Sequence, residues 1–312
     1  MSTRWEEQMH LRERWLRLLG PMPQRVPLEV EVQSIEEQPD HRRVLLIYAT
    51  EKDARTEAYL LEPLEPKAER LPAAVVFHAT TDAHIRQPVG LASAPTRHLG
   101  LALVRRGFVV LCPKCFIYGY RGKTWLDAVA ELELVAPGLC GMGKMLWDGM
   151  RAVDVLMERG DVLPGAIAAV GHSLGAKETL YLAAFDERVC AAVASEGGIA
   201  LGSSNWDASW YLGERVEILR RERRDHDDLL LLGAPRPFLI VGGGSADGPL
   251  ARELADRARQ RAREWGLECR CEVMLHEAGH DFPETVREQA FDWLENQLGL
   301  RAGGHSAFSR IR

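Results

Sequence analysis

The chain has 312 residues, 46% of them apolar and 27% charged, enough for one sizeable domain with its own core. Its formal net charge of −6, without a basic stripe carrying interleaved aromatics, argues against nucleic acid as a partner. No apolar stretch approaches the roughly 18–20 residues of a membrane span. The opening Met1-Ser2-Thr3-Arg4-Trp5-Glu6-Glu7 lacks the apolar region of a secretory signal, so the expected compartment is the cytoplasm.

In chain order, Leu11, Trp15, Leu16 and Leu19 recur at helical spacing and predict an amphipathic helix over residues 1–22, closed by Gly20-Pro21-Met22-Pro23. Its apolar face is expected to pack on the domain or to join two copies of the chain as a homo-oligomer. Residues 29–35, 43–49 and 56–61 read as antiparallel strands. Residues 73–77 and 108–112 read as buried parallel strands, with a helix over 97–106 between them. An insertion over 116–141 carries Tyr118, Tyr120, Arg121, Lys123 and Trp125. Gly138 to Lys144 matches a phosphate-loop pattern, but Met145 stands where that loop needs Ser or Thr for magnesium. A helix over 144–159 is the better reading, with Leu146, Met150, Val153 and Leu156 facing the sheet.

Strands follow at 167–170, 189–194, 238–241 and 269–275, and helices at 249–265 and 284–298. A second insertion over 198–224 carries Asn205, Trp206, Asp207, Trp210 and Tyr211. Its balanced charges from Arg215 to Arg224 suggest an exposed helix face. Residues 301–312, with Gly303-Gly304, are expected to form a flexible tail. The alternation of strand and helix predicts a doubly wound, mostly parallel α/β sheet of about eight strands within a domain spanning 23–300. The six cysteines include Cys112 and Cys115 at C-x-x-C spacing, with no second pair to complete a zinc ribbon. Free buried thiols are the expectation, with no metal and no organic cofactor.

The chemistry centres on Gly171-His172-Ser173-Leu174-Gly175, between the apolar run at 166–170 and the helix former Ala176-Lys177-Glu178-Thr179-Leu180. A strand–G-x-S-x-G–helix turn projects a serine hydroxyl above the sheet and aims the Leu174 N–H at a developing oxyanion. A serine hydroxyl needs a histidine base, and the histidine needs a carboxylate. His280, in the loop Glu277-Ala278-Gly279-His280-Asp281 after the last strand, is the expected base. His276 reads as an edge residue, His226 as part of a solvated charge run, and His305 as tail. Asp247, just past the strand at 238–241, is the expected acid, although an N-cap for the following helix is the plainer alternative. Glu196, ending the run at 189–195, is the rival acid and is taken as a substrate-pocket residue. Thr80, in the loop His78-Ala79-Thr80 after the strand at 73–77, is the expected second oxyanion donor. His78, which also reads as organising this loop, and Trp206, Trp210 and Tyr120 complete the expected pocket, the aromatics either narrowing it toward short acyl groups or packing beneath their loops.

These residues make the chain resemble the α/β-hydrolase superfamily over nearly its full length after residue 25. The likeness is nearest to the dienelactone-hydrolase-like and acetyl-xylan-esterase-like branch. It rests on residues 77–81, 144–154, 171–175, 181–189 and 204–206, the segments around Trp147 and Phe185-Asp186-Glu187-Arg188 being the more branch-specific. The resemblance implies the α/β-hydrolase fold and hydrolysis of a small-molecule ester without a cofactor. The usual His-Gly after the third core strand is His78-Ala79 here, which weakens the oxyanion assignment. Dienelactone hydrolases proper use a cysteine nucleophile, so serine points to carboxylic esters. The alternatives are a peptidase of the prolyl-oligopeptidase kind, for whose propeller the roughly 70 preceding residues are too few, and a noncatalytic partner protein, against which the complete Ser/Asp/His set argues.

Overall fold

A computed structural model describes residues 2–119 and 124–300. The chain opens with α1 (Ser2–Leu19) and the strands β1 (Glu31–Glu37), β2 (His41–Glu51) and β3 (Ala54–Pro63). It continues through β4 (Leu71–Phe77), α2 (Leu99–Arg105), β5 (Val109–Pro113), α3 (Trp125–Val135), α4 (Gly141–Met157), β6 (Val162–His172), α5 (Leu174–Phe185) and β7 (Val189–Ser195). The last part holds α6 (Val216–Arg221), α7 (Asp227–Gly233), β8 (Phe238–Gly242), α8 (Pro249–Glu264), β9 (Cys271–Leu275) and α9 (Glu284–Gln297).

Among the described residues the strands form one nine-stranded sheet in the order β1-β2-β3-β5-β4-β6-β7-β8-β9. The first three pair antiparallel, and β4 to β9 are parallel to one another. Apolar residues of the parallel strands alternate between two cores. Val75, Ile167, Ala192 and Ile240 pack with α4, α5 and α8 on one face. Val76, Val170, Val193 and Val241 pack with α2 and α9 on the other. Such strands have no polar face, because helices cover both sides. The architecture is the doubly wound α/β-hydrolase fold.

The amphipathic lead is a helix, and it lies on its own domain. Leu11, Trp15 and Leu19 are buried in the core beside α4 and α7, and Trp15 Nε1 donates to Asp228 Oδ2 at 3.0 Å. The face proposed for joining two copies is therefore used within the chain. Two elements differ from expectation. The insertion after β5 contains α3, started by a capping box between Thr124 and Asp127. The charge-dense run at 220–228 leads into α7, whose Asp227 and Asp228 pair with Arg261 of α8, each at 2.6 Å. The predicted tail, 301–312, and Tyr120, Arg121 and Lys123 lie outside the described residues.

From β4 the chain moves outward to its neighbour β5, and from β6 it moves the other way to β7, so the connections after these two adjacent strands diverge. The carboxyl end of such a sheet, at the point where connections diverge, is where α/β proteins bind ligands. Register keeps the carboxyl ends level: Phe77 pairs with Gly171, His172 with Ser195, and Ser195 with Val241.

Candidate active site

Ser173 sits between β6 and α5 with φ 58° and ψ −117°, a backbone conformation costly for a residue with a Cβ. The flanking glycines make the turn sterically feasible. A Cβ on Gly171 would lie 2.1 Å from the Gly175 carbonyl oxygen, and one on Gly175 would lie 2.5 Å from that of Phe77. The Ser173 N–H donates to the Ser195 carbonyl at 2.8 Å, which fixes the turn to β7. Its side chain makes no capping bond to α5. The Leu174 N–H, first of the helix, has no intrahelical partner, whereas those of Ala176 and Lys177 donate to the Ser173 carbonyl at 3.1 and 3.3 Å.

His280 reaches this serine from the loop after β9. Its Nε2 lies 2.9 Å from Ser173 Oγ, and its side chain is 42% exposed. Bonds with two other loops hold this one. The Gly279 N–H donates to the Gly243 carbonyl at 3.1 Å, Arg97 Nη2 to the His280 carbonyl at 2.5 Å, and Thr96 Oγ1 to Asp281 at 2.8 Å. Arg97 and Thr96 carry no motif, and the sequence offered no signal for them. Behind the ring stands His172, its centroid 5.1 Å from that of His280. Burial pulls the His172 imidazolium well below its usual range, so that ring is neutral.

The carboxylate beside His280 is Glu196, with Oε2 3.2 Å from Nδ1. Burial works against its charge, but bonds from His280, Ala246 and Gly243 outweigh it and hold the carboxyl below its ordinary range. Glu196 follows directly on β7 at φ 51°, and its N–H donates to the Val241 carbonyl at 2.9 Å. Asp247, the expected acid, is elsewhere engaged. Its Oδ2 accepts from the Gly198 N–H at 3.1 Å and its Oδ1 from that of Ile199 at 2.7 Å. Burial raises this carboxyl to about 6, with the negative Glu196 adding to the effect and backbone N–H groups opposing it. Its N-cap alternative also fails, because Gly248 is the cap residue of α8 and Asp247 does not bond that helix. The two carboxylates differ in distance along the chain. Glu196 is one residue past its strand, whereas Asp247 is five past Gly242, where the loop turns back toward β7.

Other expected pocket residues are differently placed. His78 is buried, not pocket-lining. Its Nε2 accepts the Cys115 N–H at 3.1 Å, so its Nδ1 donates to the Ala79 carbonyl at 2.8 Å. Burial drops its imidazolium to about 4, so this neutral ring organises the loop leading to Thr80. Thr80 is exposed, and the Thr81 N–H donates to the Tyr118 hydroxyl at 3.1 Å. Trp206 has no exposed surface and donates from Nε1 to the Gly198 carbonyl at 2.7 Å, so it packs inside rather than narrowing a pocket. Trp210 is half-buried against Trp125, ring centroids 5.2 Å apart. Tyr120 lies outside the described residues. His226 is fully buried rather than solvated, between the Tyr181 hydroxyl at 2.9 Å and the Ile199 carbonyl at 2.6 Å. Lys177, in the first turn of α5, was not singled out by sequence. Burial lowers its ammonium to about 7, and it donates to the Gly197 carbonyl at 2.6 Å.

Among the described residues no helix is long and apolar enough to cross a membrane, and no group of three His, Cys, Asp or Glu side chains forms a metal site. The six cysteines are free thiols.

YtaP of Bacillus subtilis (strain 168), a provisionally named hydrolase, is 28% identical over 301 residues, covering 92% of this chain and 98% of its own. A glucuronoyl esterase from Solibacter usitatus superposes with a TM-score of 0.71 at 18% identity, over 89% of this chain and 88% of that one. Acetyl xylan esterase 1 from Thermoanaerobacterium sp. does so with a TM-score of 0.56 at 16% identity, over 94% of each. The model of the dienelactone hydrolase family matches residues 56–292, most of the chain, and the protein is a hydrolase belonging to that family.

Proposed function

We propose that the protein is a serine carboxylesterase acting on small, short-acyl esters, acetylated carbohydrates among them, through a Ser173–His280–Glu196 triad and an acyl-enzyme. One observation carries the reading: His280 lies within hydrogen-bond reach of Ser173 Oγ on one side, at 2.9 Å, and of Glu196 on the other, at 3.2 Å. His280 takes the hydroxyl proton through Nε2 while Ser173 attacks the ester carbonyl. Glu196 holds Nδ1–H and stabilises the imidazolium. The N–H groups of Leu174 and Thr80 receive the negative oxygen. His280 then protonates the departing alcohol and activates the water that frees the acid, restoring the serine hydroxyl. The ester class draws support from the names of the structural neighbours, which are glucuronoyl and acetyl xylan esterases.

The test is a panel of p-nitrophenyl esters of graded acyl length, acetylated sugars and aminoacyl anilides, with a fluorophosphonate probe. Short esters should be hydrolysed fastest, the probe should label Ser173, and Ser173→Ala should lower kcat by at least about 10⁴-fold. Faster turnover of anilides than of esters would support the peptidase alternative. Labelling at another residue would refute the nucleophile.

A further inference from the structure

Residues 196–199 carry the carboxylate that meets His280, and this short stretch is buried. Polar backbone groups taken out of water need partners, and here side chains supply most of them. Lys177 binds the Gly197 carbonyl, Trp206 that of Gly198 and His226 that of Ile199, at 2.6, 2.7 and 2.6 Å. The N–H groups of Gly198 and Ile199 both go to the Asp247 carboxylate. The arrangement is reciprocal. Glu196, from the loop after β7, takes the N–H groups of Gly243 and, at 2.7 Å, Ala246 in the loop after β8. Asp247, from the loop after β8, takes two from the loop after β7. Each carboxylate ties down the loop that bears the other.

We propose that Asp247 is a positioning residue of this site: its clasp on the Gly198 and Ile199 N–H groups holds residue 196 in its left-handed conformation and thereby fixes Glu196 against His280. Lys177 is the second clamp on the same stretch. The proposal rests on the reading of Glu196 as the triad acid. Residue 196 has φ 51°, where a residue with a Cβ stays only while its surroundings over-determine it. Asp247→Asn would turn an NH2 group toward one of the two N–H donors and remove the charge from the other bond. The stretch would relax and carry the Glu196 carboxylate away from Nδ1. Both clamps are buried away from the surface a substrate would reach, so the effect should fall on kcat and not on KM.

The experiment is a mutant cycle on the full chain with p-nitrophenyl acetate, folding being checked by near-UV circular dichroism. Glu196→Gln should lower kcat by about 10³–10⁴-fold. Asp247→Asn should lower it by roughly 10–100-fold with KM unchanged. The double variant should match Glu196→Gln alone, because nothing remains for Asp247 to position. Lys177→Met gives the same comparison should Asp247→Asn fail to fold. Losses that multiply in the double variant would overturn the proposal, as would a parental kcat in Asp247→Asn, or an Asp247→Asn loss equal to that of Glu196→Gln. Failure of the esterase reading has a separate signature, absence of fluorophosphonate labelling at Ser173 in the parent protein. Failure of the positioning role leaves that labelling intact.

Discussion

Ser173 and Glu196 share an uncommon property, positive φ angles on residues with side chains, at the ends of adjacent parallel strands. Each is held by a bond one strand further along, to Ser195 and to Val241 respectively. The serine turn also depends on the absence of atoms at its glycines. Gly171→Ala or Gly175→Ala would drive a Cβ into backbone and should destabilise the protein by more than about 3 kcal/mol, read from the urea midpoint. A parental midpoint would mean that the turn has slack. The two tryptophans of the second insertion should behave differently. Trp206→Ala empties a buried site and strips a donor from the Gly198 carbonyl, so it should cost about 3–5 kcal/mol and leave the acyl-length profile unchanged. Trp210→Ala, half-buried, should cost less and broaden acceptance toward longer chains. A shifted profile in Trp206→Ala would restore the pocket role that its burial denies.

At the level of elements, α1 is part of the core. Trp15→Ala should cost about 3–5 kcal/mol by loss of a buried indole, and it also removes a donor from buried Asp228, measurable by denaturant unfolding. This helix was legible because Leu11, Trp15 and Leu19 repeat at helical spacing. The parallel strands and the G-x-S-x-G turn were legible for a similar reason, since apolar runs and glycine punctuation record local geometry. What escaped was set by contacts distant in sequence. The four leucines at 229–232 are too few to display a period, so α7 went unseen. His226 stands among charges that pair with α8, and nothing local shows that its own ring turns inward to Tyr181. Two carboxylates follow neighbouring strands, both between the serine and the histidine in chain order. Choosing between Glu196 and Asp247 requires knowing how far each loop runs before it turns back.

For the molecule as a whole, buried ionisable groups make stability depend on pH. Lys177 has a folded-state value near 7 against an ordinary 10.5. Burial is the main cause, opposed by the Asp247 charge, and the ammonium also lies 3.9 Å from the Trp206 ring centroid. Between those values the unfolded chain binds more protons than the folded one, so this residue makes stability rise as pH increases from 7 toward 10.5. Asp247 contributes at a lower window and with the opposite sign. Its folded value near 6 lies above the ordinary 3.8, so its contribution falls as pH rises between them. Lys177→Met should therefore flatten the rise in urea midpoint between pH 7 and 9 while leaving the change between pH 4 and 6 in place. An unchanged slope above pH 7 would show that Lys177 does not titrate there.

The loop that brings His280 to the serine also fixes when the site comes into being. Ser173 precedes His280 by 107 positions, and the anchors of the histidine loop include Thr96 and Arg97 from the first third of the chain. In the proposed mechanism His280 is the base, so during synthesis the serine emerges long before it, and a hydroxyl without a base is a weak nucleophile. Under that mechanism a chain truncated before residue 280 should resist fluorophosphonate labelling at Ser173. In the proposed mechanism reactivity would arrive only with β9 and the loop after it, so the order of translation would itself withhold it.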